Sequence, residues 1–586
     1  MGRILKKKRI YIFPLIHFLL SFFYERSILV FRLDRDIILS IPRNFVISDT
    51  GERVLGYVLS KLFALAMIFF LWNLLFEIVR TWTTRKNLCF FLVFFLAGCA
   101  GLLFLWPEPF AASQDNFITY SYAIRFWPEY WHSAYTSCIY AAMLMVMPHP
   151  VFLTIFQWLF AVFVLGYLYN RILDSPVLKG RGRYGVFLVF LMPGVYTLFT
   201  NPYRTELYAL LCMFLISMTA MDIVDQRHRG ISSLLLNLLL CSFIGVWRTE
   251  GIILGVLLFV LQIVFIYHYP PAKAILCFFC MLLIFGLFSA PQKLGDKKYY
   301  GKDYSFINSF PTLRNILASP DANLSYEGAG EDLAAIDAVT PIELLRHYGM
   351  EGYRRYNYFN GREDINQSLA ADETAAAYMS AYYRMVAHNF PIYARTQLFM
   401  LLKAIMIKPE EYVVYDSSVP VNDLEAWELI SWEIGEEDFY TAGGVAVWEN
   451  AALHRISWEL ANELGDKISG FLRKTYFYSL LLICIPLYEI YLFFTEAFRL
   501  IKKKSCRPGL AGLAFILLGQ AAAICLVMPA GMLTYLHTYY YCSFILCLIY
   551  VNCRRGSQIS VQAQIFDSLL AGIKTKRREN GKNEDF

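Results

Sequence analysis

Asp115 and Asn116 stand in residues 106–150, a stretch dense in Trp, Tyr and Pro that follows directly on an apolar run, 87–105. That run is long enough to cross a bilayer. A carboxylate about ten residues past a helix exit, among aromatics that favour the headgroup level, can accept a proton from a hydroxyl while a lipid-borne molecule lies beside it. Further polar groups recur at the ends of apolar runs: His132, Arg204 and Glu206 in NPYRTE, Arg248 and Glu250 in WRTEG, and His537 in LHTYYY. Guanidinium groups suit phosphate through forked, charge-assisted hydrogen bonds. Glu108 and Glu129, with Asp115, could contribute oxygen ligands to a divalent metal, although their spacing is not diagnostic. Each residue also has a plainer role. The Arg/Glu pairs can be interfacial anchors, His132 an interfacial hydrogen-bonding group, and Asp115 a helix N-cap. Convergence of several such groups, and no single one of them, would make a site.

The elements that must position them are set by composition. Of 586 residues, 57% are hydrophobic and 17% aromatic, more than a soluble domain carries, so a multi-pass, all-α membrane protein is expected. Neither a dinucleotide-binding glycine pattern nor a phosphate-binding GKS/GKT loop occurs, and no nucleic-acid partner is expected. The basic start MGRILKKKRI leads into an apolar run, 11–23, with no small-residue cleavage site after it, which reads as a retained anchor. The 13 cysteines avoid residues 291–470, so no disulfide framework is expected there. CFFC at 277–280 lies within an apolar run and reads as buried packing.

Charge placement orients the spans. The basic connector RTWTTRK at 80–86 belongs in the cytoplasm, which sends the next helix outward and puts Asp115 on the extracytoplasmic face. Residues 133–147 are apolar but short, and PHP separates them from a full span at 151–169, so they are expected to form a juxtamembrane or re-entrant helix. Spans then follow at 184–200, 207–221, 234–246, 252–267 and 273–290, and after the polar region at 475–498, 510–528 and 533–551. About twelve crossings result, with both termini cytoplasmic and the polar helix starts gathered on the outer face.

Four regions emerge. Residues 1–290 form a membrane domain carrying the outer loop 106–150, and residues 471–553 supply the last membrane helices ahead of a basic cytoplasmic tail, 554–586. Between them, residues 291–470 hold 15 Lys and Arg against 27 Asp and Glu, leaving 38 against 20 elsewhere. This acidic stretch reads as a largely helical extracytoplasmic domain. Amphipathic helices are expected over 341–348 and 373–388, an amphipathic or membrane-grazing one over 389–406, and loops at GREDINQ and GEEDFYTAGG.

An outward loop with an acidic residue, then WHSAYT, a short apolar helix, the PHPV break and FQW early in the next span resembles a bacterial membrane family related to the GT-C class of glycosyltransferases. That class takes sugars from polyprenyl-phosphate donors. NPYRTELYALL, WRTEGIILG and NFPIYARTQLFMLLKA are further points of similarity, and the likeness covers about residues 87–406. His132 is followed by Ser133 where a His-Pro pair would be expected, and Glu250 stands where the related pattern often has a neutral polar residue. The resemblance implies a GT-C-like bundle that moves a sugar from a polyprenyl phosphate to a cell-envelope glycan or lipid acceptor. Asp115 would be the general base and the product inverted, with the donor phosphate near Arg204 or Arg248. Asn116, His132, Glu206, Glu250 and His537 would line the site. No organic cofactor is implied, though some relatives of the class use a divalent metal.

Two other functions fit the same composition. A transporter or flippase of a lipid-linked saccharide would use the same arginines but needs ionisable groups near the bilayer midplane, and mid-span charges read as scarce. A membrane assembly protein would use the acidic domain to bind a partner.

Overall fold

A computed structural model of the chain describes residues 2–24, 50–81, 119–120, 122–128, 133–148, 151–175, 177–178, 181–193, 195, 204–295, 303–347, 372–405, 407, 467, 470–471, 476–502, 506–528 and 533–553. Among them the backbone is almost entirely helical, with no strands. The first half supplies α1 (Gly2–Tyr24), α2 (Thr50–Thr81), α3 (Ala134–Val146), α4 (Val151–Asp174), α5 (Arg204–Asp225), α6 (Ile231–Trp247), α7 (Gly251–Gln262) and α8 (Pro271–Gly295). Then come α9 (Asp303–Ala318), α10 (Ala329–Asp337), α11 (Ile342–His347), α12 (Asp372–His388) and α13 (Phe390–Ala404). The last three are α14 (Phe477–Ile501), α15 (Pro508–Val527) and α16 (His537–Asn552).

Six of these, α2, α4, α5, α8, α14 and α15, are long and apolar enough to cross a membrane. They do not play equal parts. In α5, 94% of the apolar window is buried, against 11% in α8, so α5 is the central pillar and α8 presents its apolar surface outward. α16 packs along α5, α7 lies against α15, and α14 closes on both α15 and α16. The α6–α7 hairpin is tight because Gly251 and Gly255 leave room for backbone. A side chain at Gly251 would overlap the Ile244 carbonyl and the Tyr208 hydroxyl, and one at Gly255 the Cys241 carbonyl. Small residues four apart are the usual means by which apolar helices approach so closely.

Polar fastenings hold the periphery. The Lys61 ammonium of α2 donates to Ser21 Oγ of α1 at 2.9 Å and lies 3.8 Å from the centre of the Phe22 ring. His17 bonds the Val146 carbonyl at 2.9 Å and accepts from Trp72 Nε1 at 3.2 Å. At the carboxyl end of α5, Arg171 reaches Asp222 and Asp225 at 3.0 and 3.1 Å, and Arg229 closes on Asp222 at 2.7 Å.

Helices α9 to α13 build a second, smaller core around Leu313, Ile316, Ile336, Tyr378 and Met385. A polar clasp backs it: Asp332 accepts from Tyr326 at 2.6 Å and from Arg384 Nε at 3.0 Å. α13 joins this core to the bundle, since Ile392 belongs to the small core while Ala404 and Ile405 belong to the large one.

The short apolar segment at 133–147 forms α3; every residue of α3 is buried, and the helix packs along α2. Its small Ala and Ser residues allow that close burial. One expectation is corrected: the described part of the run at 184–200 does not open as an ordinary α-helical span, because Arg181–Leu191 is a 3₁₀ helix. Gly182, Gly185 and Pro193 weaken the α conformation there. One mid-span charge stands out: Glu489 sits fully buried at the middle of α14. The run at 87–105 and the loops GREDINQ and GEEDFYTAGG lie outside the described residues.

Candidate functional site

One end of the central pillar gathers polar side chains from three separate parts of the chain. Arg204, Thr205 and Glu206 open α5, and an acidic residue in a first turn suits the positive end of the helix. Arg248 and Glu250 occupy the turn between α6 and α7, brought close to α5 by the bare backbone of Gly251. His537 is the first residue of α16.

Within this cluster Arg248 forms an ion pair with Glu250 and donates from Nη1 to Thr205 Oγ1 at 2.8 Å. Its guanidinium stands 5.7 Å from the Tyr208 ring centre, and Tyr208 meets Trp247 edge-on at 6.0 Å. Trp247 in turn donates to Thr136 of α3 at 3.2 Å, which fixes the hairpin against that helix. The Arg248 and Glu250 side chains are 9% and 13% exposed, so the pair is largely withdrawn from water. Its charges offset one another, and Arg248 as placed is not a lone cation awaiting an anion.

Glu206 and His537 form the other half. His537 Nδ1 is 3.7 Å from Glu206 Oε1, too long for a hydrogen bond, and both residues are buried. Glu206 Oε2 and His537 Nδ1 have no hydrogen-bond partner among the described residues. A buried carboxylate oxygen and ring nitrogen left unpaired cost about 1–3 kcal/mol each, so a hydroxyl or water fitting between them would be strongly held. Tyr541, one helical turn beyond His537, is spoken for by the Pro193 carbonyl at 3.1 Å.

Of the residues singled out in the sequence, Arg204, Glu206, Arg248, Glu250 and His537 are thus found at one end of the bundle, with the last four in two side-chain pairs. Asp115, Asn116, His132, Glu108 and Glu129 lie outside the described residues. Among the described residues no cluster of three or more His, Cys, Asp or Glu could hold a metal ion. Cys277 and Cys280 are free thiols on α8, and Cys280 is exposed where the sequence suggested buried packing. The outward-facing surface of α8 explains the difference.

A second polar row, along α16, was not read from the sequence. Tyr539 and Ser543 both donate to Glu489 of α14, at 2.9 and 3.0 Å, and Tyr550 donates to Glu496 at 2.7 Å. Arg499 also bonds Glu496, at 2.9 Å. Glu489 and Glu496 are seven residues apart, two helical turns, and so share one face of α14. That spacing was the available signal. No family model, curated protein or solved structure matches this chain.

Proposed function

We propose that the chain is an integral-membrane glycosyltransferase that moves a sugar from a polyprenyl-phosphate donor to a cell-envelope glycan or lipid acceptor on the extracytoplasmic side. The observation that carries this reading is the convergence of Arg204, Glu206, Arg248, Glu250 and His537 at one end of an apolar helical bundle. In the full reading about twelve segments cross the bilayer, both termini are cytoplasmic, and the acidic region 291–470 lies outside, over the cluster.

The donor enters from the lipid with its phosphate at the arginines. Arg248 exchanges Glu250 for the phosphate, keeping an anion at its guanidinium throughout and leaving Glu250 to accept hydrogen bonds from sugar hydroxyls. Asp115 takes the proton of the acceptor hydroxyl as its oxygen attacks the anomeric carbon from the face opposite the leaving group. The bond from that carbon to the phosphate oxygen breaks, polyprenyl phosphate departs with the electron pair, and configuration inverts. Glu206 and His537 grip a sugar hydroxyl between their unpaired atoms.

The test is Asp115→Asn in membranes, followed by mass spectrometry of envelope glycans with and without the wild-type chain. The transferred sugar should disappear while expression stays normal, since loss of a general base costs about 10²–10⁴-fold in rate. Unchanged transfer would remove the assignment.

Glu489 favours a second reading, a transporter of a lipid-linked saccharide, because ionisable groups buried in a span commonly mark ion or substrate paths. Under that reading Glu489→Gln abolishes function and Asp115→Asn does not.

A further inference from the structure

α13 has two opposite faces, and among the described residues one is covered by protein while the other is exposed. Ile392 and Thr396, one turn apart, are buried, and Thr396 accepts a hydrogen bond from Asn315 of α9 at 2.9 Å. On the far side the row Phe390, Ala394, Leu398 repeats every four residues and is exposed at each step. Phe390 is 59% and Leu398 55% exposed. Residues four apart stack along one side of a helix, so these three form a continuous apolar stripe.

The position of the helix indicates what meets that stripe. Tyr393 of α13 donates its hydroxyl to the Leu526 carbonyl at the carboxyl end of α15, a helix long and apolar enough to span. Leu526 and Val527 are themselves more than half exposed beside this anchor, so the stripe continues the outward apolar surface of the bundle at a span end. Arg395 is exposed next to the stripe, and Lys403 holds its ammonium 4.7 Å from the Phe399 ring centre near the end of the same helix. Basic side chains beside apolar and aromatic ones are the composition of helices lying in the headgroup boundary, where the stems cover acyl chain and the charges reach phosphate.

We infer that α13 lies in the plane of the membrane boundary at the carboxyl end of α15, with Phe390, Ala394 and Leu398 against lipid. From Phe390 to Leu398 the stripe runs about 12 Å along the helix, so it tethers the small core to the bilayer over the first half of α13. This placement does not depend on the catalytic proposal.

The experiment uses the full chain in nanodiscs of phosphatidylcholine and phosphatidylglycerol, with an encoded acridone fluorophore at Leu398, at Phe390 or, for comparison, at exposed Glu331 of α10. Nitroxide-bearing lipid should quench positions 398 and 390 severalfold more than position 331, and aqueous iodide should show the reverse order. Two independent positions guard against one substitution disturbing the fold. Iodide quenching at 398 and 390 equal to that at 331 would overturn the inference. So would shielding of both positions from both quenchers, which would mean that protein covers the stripe.

Discussion

The hydroxyl of Tyr539 donates to the carboxylate of Glu489 at 2.9 Å, and Ser543, one turn further along α16, reaches the same carboxylate at 3.0 Å. Both donors are neutral and all three residues are buried, so α14 and α16 are joined at mid-span by an acid and two hydroxyls. Replacing Glu489 by Ala leaves two hydroxyls without an acceptor, each costing about 1–3 kcal/mol. That exceeds the roughly 0.6 kcal/mol typical of one interhelical hydrogen bond in a membrane protein. Glu489→Ala should therefore lower the unfolding temperature in detergent clearly, and Glu489→Gln, which keeps an acceptor, much less. Equal stability of Ala and Gln variants would show that the junction holds nothing together.

A pH response is expected from the small core. Burial alone would push the Asp332 carboxyl up, but hydrogen bonds from Arg384 and Tyr326, with the Arg384 charge, hold it below the usual carboxylate range. A depressed folded value means that the clasp stabilises fully above the unfolded value, about 3.9, and is lost as pH falls through the folded one. Amide exchange in α10 and α12 should stay slow at about pH 5 and quicken below about pH 4. In Asp332→Asn that acid-induced step should be absent. A step of the same size in both proteins would locate the titrating group elsewhere.

Backbone contact at Gly251 gives a steric prediction. Gly251→Ala places a methyl group on the Ile244 carbonyl and the Tyr208 hydroxyl, and should cost about 1–3 kcal/mol while moving the Arg248 turn. Gly286→Ala on α8 meets open space and should be neutral or stabilising by about 0.5–1 kcal/mol. Thermal unfolding of the two variants side by side checks the contrast; matching shifts would mean that the hairpin can yield.

If the proposed transfer reading holds, Arg248→Lys removes the forked donor meant for the phosphate, together with the contact to Thr205. The apparent KM for polyprenyl-phosphate sugar should rise on the order of tenfold, about 1.4 kcal/mol, with the acceptor KM little changed. Arg204→Lys should act in the same direction. If both substitutions leave donor use untouched, the phosphate lies elsewhere.

The apolar runs were legible because a helix must be apolar along its length to live in lipid, and α4, α5, α8, α14 and α15 all fall where hydropathy put them. Glu489 was passed over for the same reason: one acid does not interrupt a run of 25 residues, and only its two-turn spacing from Glu496 hints at a shared face. The polar helix starts were visible as candidates, but nothing local says that Glu206 meets His537, since their helices are far apart in the chain and are paired by packing of α5 on α16. Arg248 and Glu250 were visible as neighbouring charges, but that they pair and are withdrawn from water depends on the turn between α6 and α7 and on Trp247 and Tyr208 beside it.

The seat of Lys61 makes α1 indispensable. The ammonium on α2 is shielded by the Phe18, Phe22 and Tyr57 rings and satisfied by Ser21, and three of those four groups are carried on α1. Were α1 trimmed away, the Lys61 ammonium would lose its Ser21 acceptor and the Phe18 and Phe22 rings over it, and Trp72 would lose the imidazole it donates to. Fusion or truncation at this end is therefore surgery on the interior, and α2 should not be expected to hold its place without it.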